Sequence, residues 1–283
     1  MYILFDIGGT KTRIAASRDL KTYDTPVKFD TELDFEAGIK KFCDTVVKLK
    51  NDEQIEGMAG GIRGVLNHKK TMIETDLGGT LSTWEKKPLA DMLHAQFAAP
   101  VYLENDAAIV GLGEAHFGAG KGYDIVAYHT VSTGVGGVRI DHGEIDHAST
   151  GFEPGHQILD IDDSTLGDTI SPDTLENLVS GSALQKRRGM KPYEIPQSDG
   201  VWDELAKYLA YGLKNTIVYW SPDVIVLGGS MIIGDPRIFN EDIERHTKEI
   251  LGKEIPCPPI VDATLKDEGG LYGAMALLKQ KST

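Results

Sequence analysis

Short apolar runs that stop at glycines alternate along the chain with longer stretches in which apolar residues recur every three or four positions. Tyr2 to Ile7 is such a run, ending in a glycine pair, and Thr12 to Ser17 resumes with β-compatible residues. The two predict strands around a tight turn, with a third strand near Thr25 to Phe29. Phe35, Ile39, Phe42, Val46 and Leu49 form one stripe, which predicts an amphipathic helix over Asp34 to Lys50. β-like segments follow around Ile55 to Leu66 and Thr71 to Glu74, then a helix around Pro88 to Phe97, a strand Val101 to Glu104 and a helix from about Ala107 to Phe117. These complete one α/β lobe.

The pattern then restarts. Asp124 to Val131 reads as a strand, Ser132 to Gly137 as a glycine-rich turn and Val138 to Asp141 as the return strand. A helix around Pro172 to Arg187 precedes a longer one from Val201, whose buried stripe is Leu205, Tyr208, Leu209, Leu213, Ile217 and Trp220. A strand Val224 to Leu227, a helix around Phe239 to Leu251, a strand around Ile260 to Leu265 and a terminal helix around Leu271 to Gln280 close the pattern. The glycine turn near the front of each half, at Gly9 and at Gly134, suggests a duplicated lobe.

Composition narrows the classes. At 283 residues the chain exceeds one typical core, so two lobes are expected. With 29 Lys+Arg against 43 Asp+Glu the net charge is −14, which opposes adhesion to nucleic-acid backbones and anionic membranes. No partner of either kind is expected. Cys43 and Cys257 are too few and too far apart for a disulfide framework or a zinc cluster, and two thiols suit a reducing cytosol. The start lacks a signal-peptide pattern and no apolar run reaches the roughly 20 residues that span a bilayer, so a cytoplasmic protein is expected.

Asp6-Ile-Gly-Gly-Thr-Lys11 sets an acid at a strand end before glycines that let the backbone approach a ligand. Turn amides, the Thr10 hydroxyl and Lys11 can donate to phosphate oxygens, and Asp6 can hold a hydrated Mg²⁺; a plain hairpin turn is the other reading. Two other phosphate motifs fail: around Lys121 both ends of the Walker pattern are wrong, and Arg139 stands where the dinucleotide fingerprint needs its third glycine. Ser132 to Gly137 and Leu227-Gly-Gly-Ser230 are further glycine turns after strands, and three such turns suit a cleft that grips a nucleotide from two lobes. Glu104-Asn-Asp106 precedes a helix, where Asp106 is either its cap or a general base for a substrate hydroxyl oriented by Asn105. Glu153-Pro-Gly-His156 puts an acid and an imidazole on a short turn, able to bond vicinal hydroxyls or to stand solvated. Asp160 to Asp163 lacks the glycine and terminal Glu of a calcium loop and reads as solvated.

Taken in order, these segments resemble the ROK family of sugar kinases, repressors and uncharacterised proteins over essentially the whole chain. Gly269-Gly-Leu-Tyr-Gly-Ala274 also resembles the start of that family's final helix, which returns to the first lobe. The resemblance implies the duplicated actin-like, ribonuclease-H-like α/β fold, two lobes around a central cleft, with residues 1–112 plus about 268–283 in the small lobe and 113–267 in the large one. It implies ATP and Mg²⁺ as cofactors, with Asp6, Gly8, Gly9, Thr10, Lys11, Thr133, Gly134, Gly228, Gly229 and Ser230 toward ATP and Asp6 toward the metal. It makes Asp106 the base on a hexose 6-hydroxyl, with Asn105, Glu153, His156 and Glu176 as sugar contacts. A homodimer is implied as well.

Two departures stand out. Most members hold zinc through the motif's His and a following cysteine cluster, whereas residues 157–175 here contain no cysteine, so no zinc is expected. Val138 stands where the family prefers Gly or Ala. The expected activity is phosphorylation of glucose at the 6-hydroxyl, ahead of an N-acetylhexosamine, mannose or fructose kinase. A non-enzymatic sugar sensor and an ATPase or phosphatase of the same fold rank lower. Repressors of the family carry an N-terminal DNA-binding domain, and with the first phosphate strand at Tyr2 none is expected here.

Overall fold

A computed structural model describes residues 1–77, 79–160 and 173–282. Its elements, in chain order, are β1 (Tyr2–Ile7), β2 (Lys11–Ser17), β3 (Val27–Asp30), α1 (Phe35–Lys50), β4 (Gly57–Ile62), β5 (Val65–Leu66), β6 (Ile73–Thr75), α2 (Leu89–Phe97), β7 (Val101–Asn105) and α3 (Asp106–Phe117). There follow β8 (Ile125–Val131), β9 (Val135–Asp141), β10 (Glu144–Ile145), β11 (Ile158–Asp160), β12 (Asp173–Thr174), α4 (Leu175–Val179), α5 (Gly181–Arg188) and α6 (Val201–Trp220). The last are β13 (Val224–Gly228), α7 (Ser230–Ile233), α8 (Asn240–Leu251), β14 (Ile260–Asp262) and α9 (Gly269–Lys281).

The chain divides into two compact units: Met1–Phe117 with His147–Gly151 and Asp267–Thr283, and Gly118–Asp146 with Phe152–Lys266. Each is built on a five-stranded sheet, and the two sheets share one topology. The first runs β3-β2-β1-β4-β7 and the second β10-β9-β8-β13-β14. In both, the first three strands are antiparallel neighbours and the last two join in parallel. The glycine turns foreseen at Gly9 and Gly134 are the equivalent connections, β1–β2 and β8–β9. The duplication is thus one of topology.

In unit 1, α1 starts where the Asp34 side chain accepts from the Ala37 N–H at 2.9 Å, and its stripe of Phe35, Ile39, Phe42 and Val46 is buried. Phe42 meets Phe5 of β1 edge to face, with ring centroids 5.3 Å apart. Burying each such side chain contributes about 1.5–3 kcal/mol. In unit 2, Leu205, Leu209 and Leu213 of α6 pack with Ile225 and Leu227 of β13. Helix α3 is apolar on most sides because it is covered by the sheet and by α9. The two helices meet at backbone distance. A Cβ added to Gly273 would stand 1.7 Å from the Ile109 carbonyl oxygen, and one on Gly113 would stand 2.5 Å from that of Gly269.

The strand predicted around Ile260 to Leu265 ends at Asp262, and two further predicted elements differ in kind. The return strand begins at Val135, not Val138, because Val131 pairs with Val135 and Thr130 with Gly136. The turn shrinks to three residues. The single helix predicted around Pro172 to Arg187 is two short ones, since Ser180 between them is extended and caps the second by accepting from the Ala183 N–H at 3.2 Å. Pro172, and residues 161–163 of the acidic stretch, lie outside the described residues.

Two stability predictions arise. In an open helix Gly→Ala stabilises by about 1 kcal/mol; at Gly273 the backbone contact reverses the sign, and Gly273→Ala is expected to lose about 3 kcal/mol in urea unfolding. Gly200→Ala, with nothing within 4 Å of the new Cβ, is the neutral control. The second concerns His129, fully buried on β8, with Nε2 3.0 Å from the Thr216 hydroxyl and the ring stacked on Trp220 at 5.4 Å. Burial pushes this imidazole down to about 4. Between the unfolded value near 6.5 and about 4 the unfolded chain binds a proton that the folded chain refuses, so stability falls as pH falls, by about 3 kcal/mol in all. Urea unfolding of His129→Gln across pH 7 to 4 should lack that loss, and an unchanged slope would assign it to other groups.

Candidate active site

The β1–β2 turn of unit 1 is closed by the Gly8 N–H donating to the Lys11 carbonyl at 3.0 Å. Neighbouring segments hold it in place: the Thr31 hydroxyl donates to the Gly8 carbonyl (2.8 Å) and the Thr80 hydroxyl to the Gly9 carbonyl (3.0 Å). Thr10 is exposed, and the Lys11 ammonium pairs with Asp30, its partner across the β2–β3 ladder. Both partners of that ion pair are exposed, so it contributes at most about 1 kcal/mol.

Asp6, at the end of β1, is 14% exposed and 3.3 Å from an Arg13 nitrogen. Burial pushes its carboxyl up to about 6; Arg13 opposes this and the Asp106 carboxylate adds to it. Strand β7 passes into α3 without a linker, so Asp106 is the first residue of the helix. The helix is capped by Asn105, not by Asp106. Asn105 Oδ1 accepts from the Ala107 and Ala108 N–H groups at 2.9 and 3.1 Å, while its Nδ2 donates to the Gly64 carbonyl at 3.1 Å. Asp106 Oδ1 accepts from the adjacent Ala107 N–H at 2.9 Å. Burial raises the Asp106 pKa, against the pull of that amide and of the Arg63 cation, and with a push from Asp76. A desolvated carboxylate of raised pKa is a stronger proton acceptor than a solvated one. Glu104, one residue earlier on β7, is buried against Lys70 instead.

The sequence reading missed Arg63 and Asp76. Arg63 follows β4, and its Nε donates to Asp76 Oδ1 at 3.1 Å; Asp76 is buried, with Oδ2 accepting from the Leu81 N–H at 2.6 Å. Their one signal was a cation placed directly after an apolar strand with an acid before the next glycine pair, a pattern too common to single out.

In unit 2 the three-residue turn closes as the Ser132 N–H donates to the Gly134 carbonyl (2.8 Å), and the Ser132 hydroxyl bonds that of Ser230 at 3.0 Å. The second and third glycine turns therefore touch. Gly229, at φ +88°, joins β13 to α7, and a Cβ there would stand 2.3 Å from the Val131 carbonyl oxygen, so the close approach excludes any side chain. Thr133 and Ser230 are exposed, and Gly228 is buried. Glu176 reaches the same turn, its Oε2 accepting from the Val135 N–H at 2.7 Å. Pro154 to His156 form a single 3₁₀ turn packed on β9, with Glu153 and His156 both exposed.

The structure thus gathers Asp6, Gly8 to Lys11, Asn105 and Asp106 in unit 1, together with Arg63 and Asp76. It gathers Thr133, Gly134, Gly228 to Ser230, Glu153, His156 and Glu176 around β9 and β13 in unit 2. Among the described residues no three His, Cys, Asp or Glu side chains are grouped to hold a metal ion, and no helix is long and apolar enough to cross a membrane. Asp6 suits a hydrated divalent cation, since its carboxylate and that of Asp106 repel each other and a cation relieves the repulsion.

The sequence matches the ROK family over residues 2–281. A putative fructokinase from Bacillus subtilis (strain 168) is 26% identical, with 97% of this chain and 94% of that protein aligned. The crystal structure of the ROK hexokinase from Thermus thermophilus superposes with a TM-score of 0.82 at 26% identity, covering 100% of this chain and 99% of that one. A ROK family glucokinase from Streptomyces griseus, solved with glucose and AMPPNP, has a TM-score of 0.80 at 24% identity over 99% of each chain. The chain belongs to the ROK family and has its duplicated actin-like, two-lobed fold.

Because Asn105 serves both as cap and as tie to Gly64, Asn105→Ala is expected to lose about 1–2 kcal/mol in denaturant unfolding. Asn105→Asp keeps the acceptor but not the amide donor and should fall between the two; equal stability of all three would remove Asn105 as the cap.

Proposed function

We propose that this chain is an ATP-dependent hexose kinase that transfers the γ-phosphoryl group to a 6-hydroxyl, glucose being the first candidate acceptor. The observation that carries the reading is Asp106: a desolvated carboxylate of raised pKa at the first residue of a helix, electrostatically coupled to the acid that opens the glycine turn. Asp106 takes the proton of the acceptor hydroxyl as its oxygen attacks phosphorus. The Gly8 to Lys11 turn, Thr133, Gly134 and Gly228 to Ser230 contact the nucleotide. Asn105, Glu153, His156 and Glu176 hold the sugar. Asp6 would hold Mg²⁺ through water, and the ion, when bound, neutralises phosphate charge. Cytoplasmic homodimers complete the reading. The Bacillus subtilis relative named a putative fructokinase supports a second one, the same chemistry on fructose or another hexose.

The test is Asp106→Asn, assayed by coupled ADP detection over a panel of glucose, fructose, mannose and N-acetylated hexosamines. The kcat on the preferred sugar is expected to fall by about 10²–10⁴-fold, with the KM little changed. Sugar-dependent ADP release at near the wild-type rate would remove Asp106 as the base.

A further inference from the structure

Arg63 has no role in the reading above, yet it lies between that reading's two main parts. Its backbone N–H donates to the Ile7 carbonyl at 3.1 Å, which places it beside the strand end that carries Asp6. Its aliphatic stem runs along the glycine turn: a Cβ on Gly9 would stand 3.2 Å from Arg63 Cδ. Its charge also pulls on the Asp106 carboxylate.

One edge of the guanidinium is fixed. Nε donates to Asp76 Oδ1 at 3.1 Å, and Asp76, fully buried, is itself held by the Leu81 N–H at 2.6 Å. The backbone of Gly79 closes over the pair, since a Cβ there would stand 2.7 Å from Arg63 Nε and 2.4 Å from Asp76 Oδ2. The two terminal nitrogens carry no hydrogen bond to any described residue, and the side chain stays 38% exposed. An arginine recruited only to neutralise a buried aspartate would use its fork on both carboxylate oxygens. Here the second oxygen is given to a backbone amide, and the two terminal nitrogens make no hydrogen bond to their own counter-ion.

We propose that Arg63 is a catalytic residue that binds the non-bridging oxygens of the phosphoryl group in flight, with Asp76 as the residue that positions it. The inference rests on the kinase reading. As Asp106 removes the proton, the acceptor oxygen bonds to phosphorus and the bond to the bridging oxygen breaks, ADP leaving with the electron pair. Negative charge spreads over the three equatorial oxygens, where a planar cation with two free N–H edges stabilises it most.

The test uses the full-length chain with Arg63→Ala, Arg63→Lys and Asp76→Asn, each first compared with wild type in thermal unfolding. Arg63→Ala should lower kcat by about 10²–10³-fold while the KM values for hexose and ATP move less than about threefold. Arg63→Lys should recover about tenfold of that loss, and Asp76→Asn should lose about tenfold, because the cation remains but is no longer held. A readout free of turnover is binding of ADP with aluminium fluoride and hexose, followed by calorimetry. Affinity for that mimic should fall about 100-fold in Arg63→Ala, and affinity for ADP alone should not change. A kcat within threefold of wild type overturns the assignment, as does an unchanged kcat with a raised hexose KM, which would make Arg63 an acceptor-recognition residue. If Arg63→Ala does not fold, Arg63→Lys decides by the same two measurements. Wild-type chain that turns over no sugar overturns the kinase reading and this inference together, whereas an active wild type matched by Arg63→Ala overturns this inference alone.

Discussion

The backbone contact between α3 and α9 fixes the position of Asp106 at the start of α3. Asp106 is the first residue of α3, and Ile109, one turn on, is pressed between a strand and a helix that both offer glycine. A Cβ on Gly61 of β4 would stand 2.5 Å from Ile109 Cγ2, and one on Gly273 of α9 would stand 1.7 Å from the Ile109 carbonyl oxygen. Contacts made by main chain have no rotamers to relax into, so α3 cannot shift along its axis without moving the sheet. The same terminal helix brings Gly270 against Asp6, where a Cβ would stand 3.0 Å from Cγ. Both acids of unit 1 are thereby referenced to one element, supplied from the far end of the chain.

That placement has an electrostatic cost, because two carboxylates are desolvated within reach of each other's charge. Each is offset by an arginine that is shared with a second acid. Arg13 divides itself between Asp6 and Asp267, at 3.3 and 3.1 Å, and Arg63 between the hydrogen bond to Asp76 and its pull on Asp106. Neither acid receives an undivided counter-ion. Burial therefore holds both carboxyls above their ordinary values, the divided arginines opposing it only in part, the condition under which a carboxylate accepts a proton usefully.

Much of this was legible in the sequence, and for one reason: the strands that position the site are apolar runs ending in glycine, and apolar runs are read from the residues alone. β1, β2, β7, β8, β13 and the long α6 fall within a residue or two of their predicted bounds. The misreadings share a different cause. Gly136 and Gly137 look like turn residues, yet they lie in β9 because the tight Ser132–Gly134 closure sets the register before them. Ser180 and Gly181 break a continuous helical stripe because the Gly181 N–H donates to the Ser132 carbonyl at 2.7 Å, a partner remote in sequence. Asn105 took the capping role that its neighbour Asp106 was equally suited to by residue type. Arg63 and Asp76 were missed because the pattern they belong to is too common to single out; only the fold brings them together.

The Glu153 to His156 turn shows how a short motif can be fixed by its surroundings. Gly155 lets the turn lie on β9, where a Cβ would stand 2.3 Å from the Val135 carbonyl oxygen. Gln157 then secures it from three sides: its amide donates to the Pro154 carbonyl at 2.8 Å, its side-chain oxygen accepts from Asn215 of α6 at 2.7 Å, and its carbonyl accepts from the Leu175 N–H at 2.9 Å. Leu175 begins the helix that carries Glu176, and Glu176 in turn holds the Val135 N–H. Hydrogen bonds therefore link β9, the Pro154 to His156 turn and the start of α4, beside the core packing of Val135 and Leu175. The described backbone on either side of Glu153, His156 and Glu176 is thus tied at Pro154, Leu175 and Val135, the kind of second layer by which a scaffold holds exposed polar side chains in place.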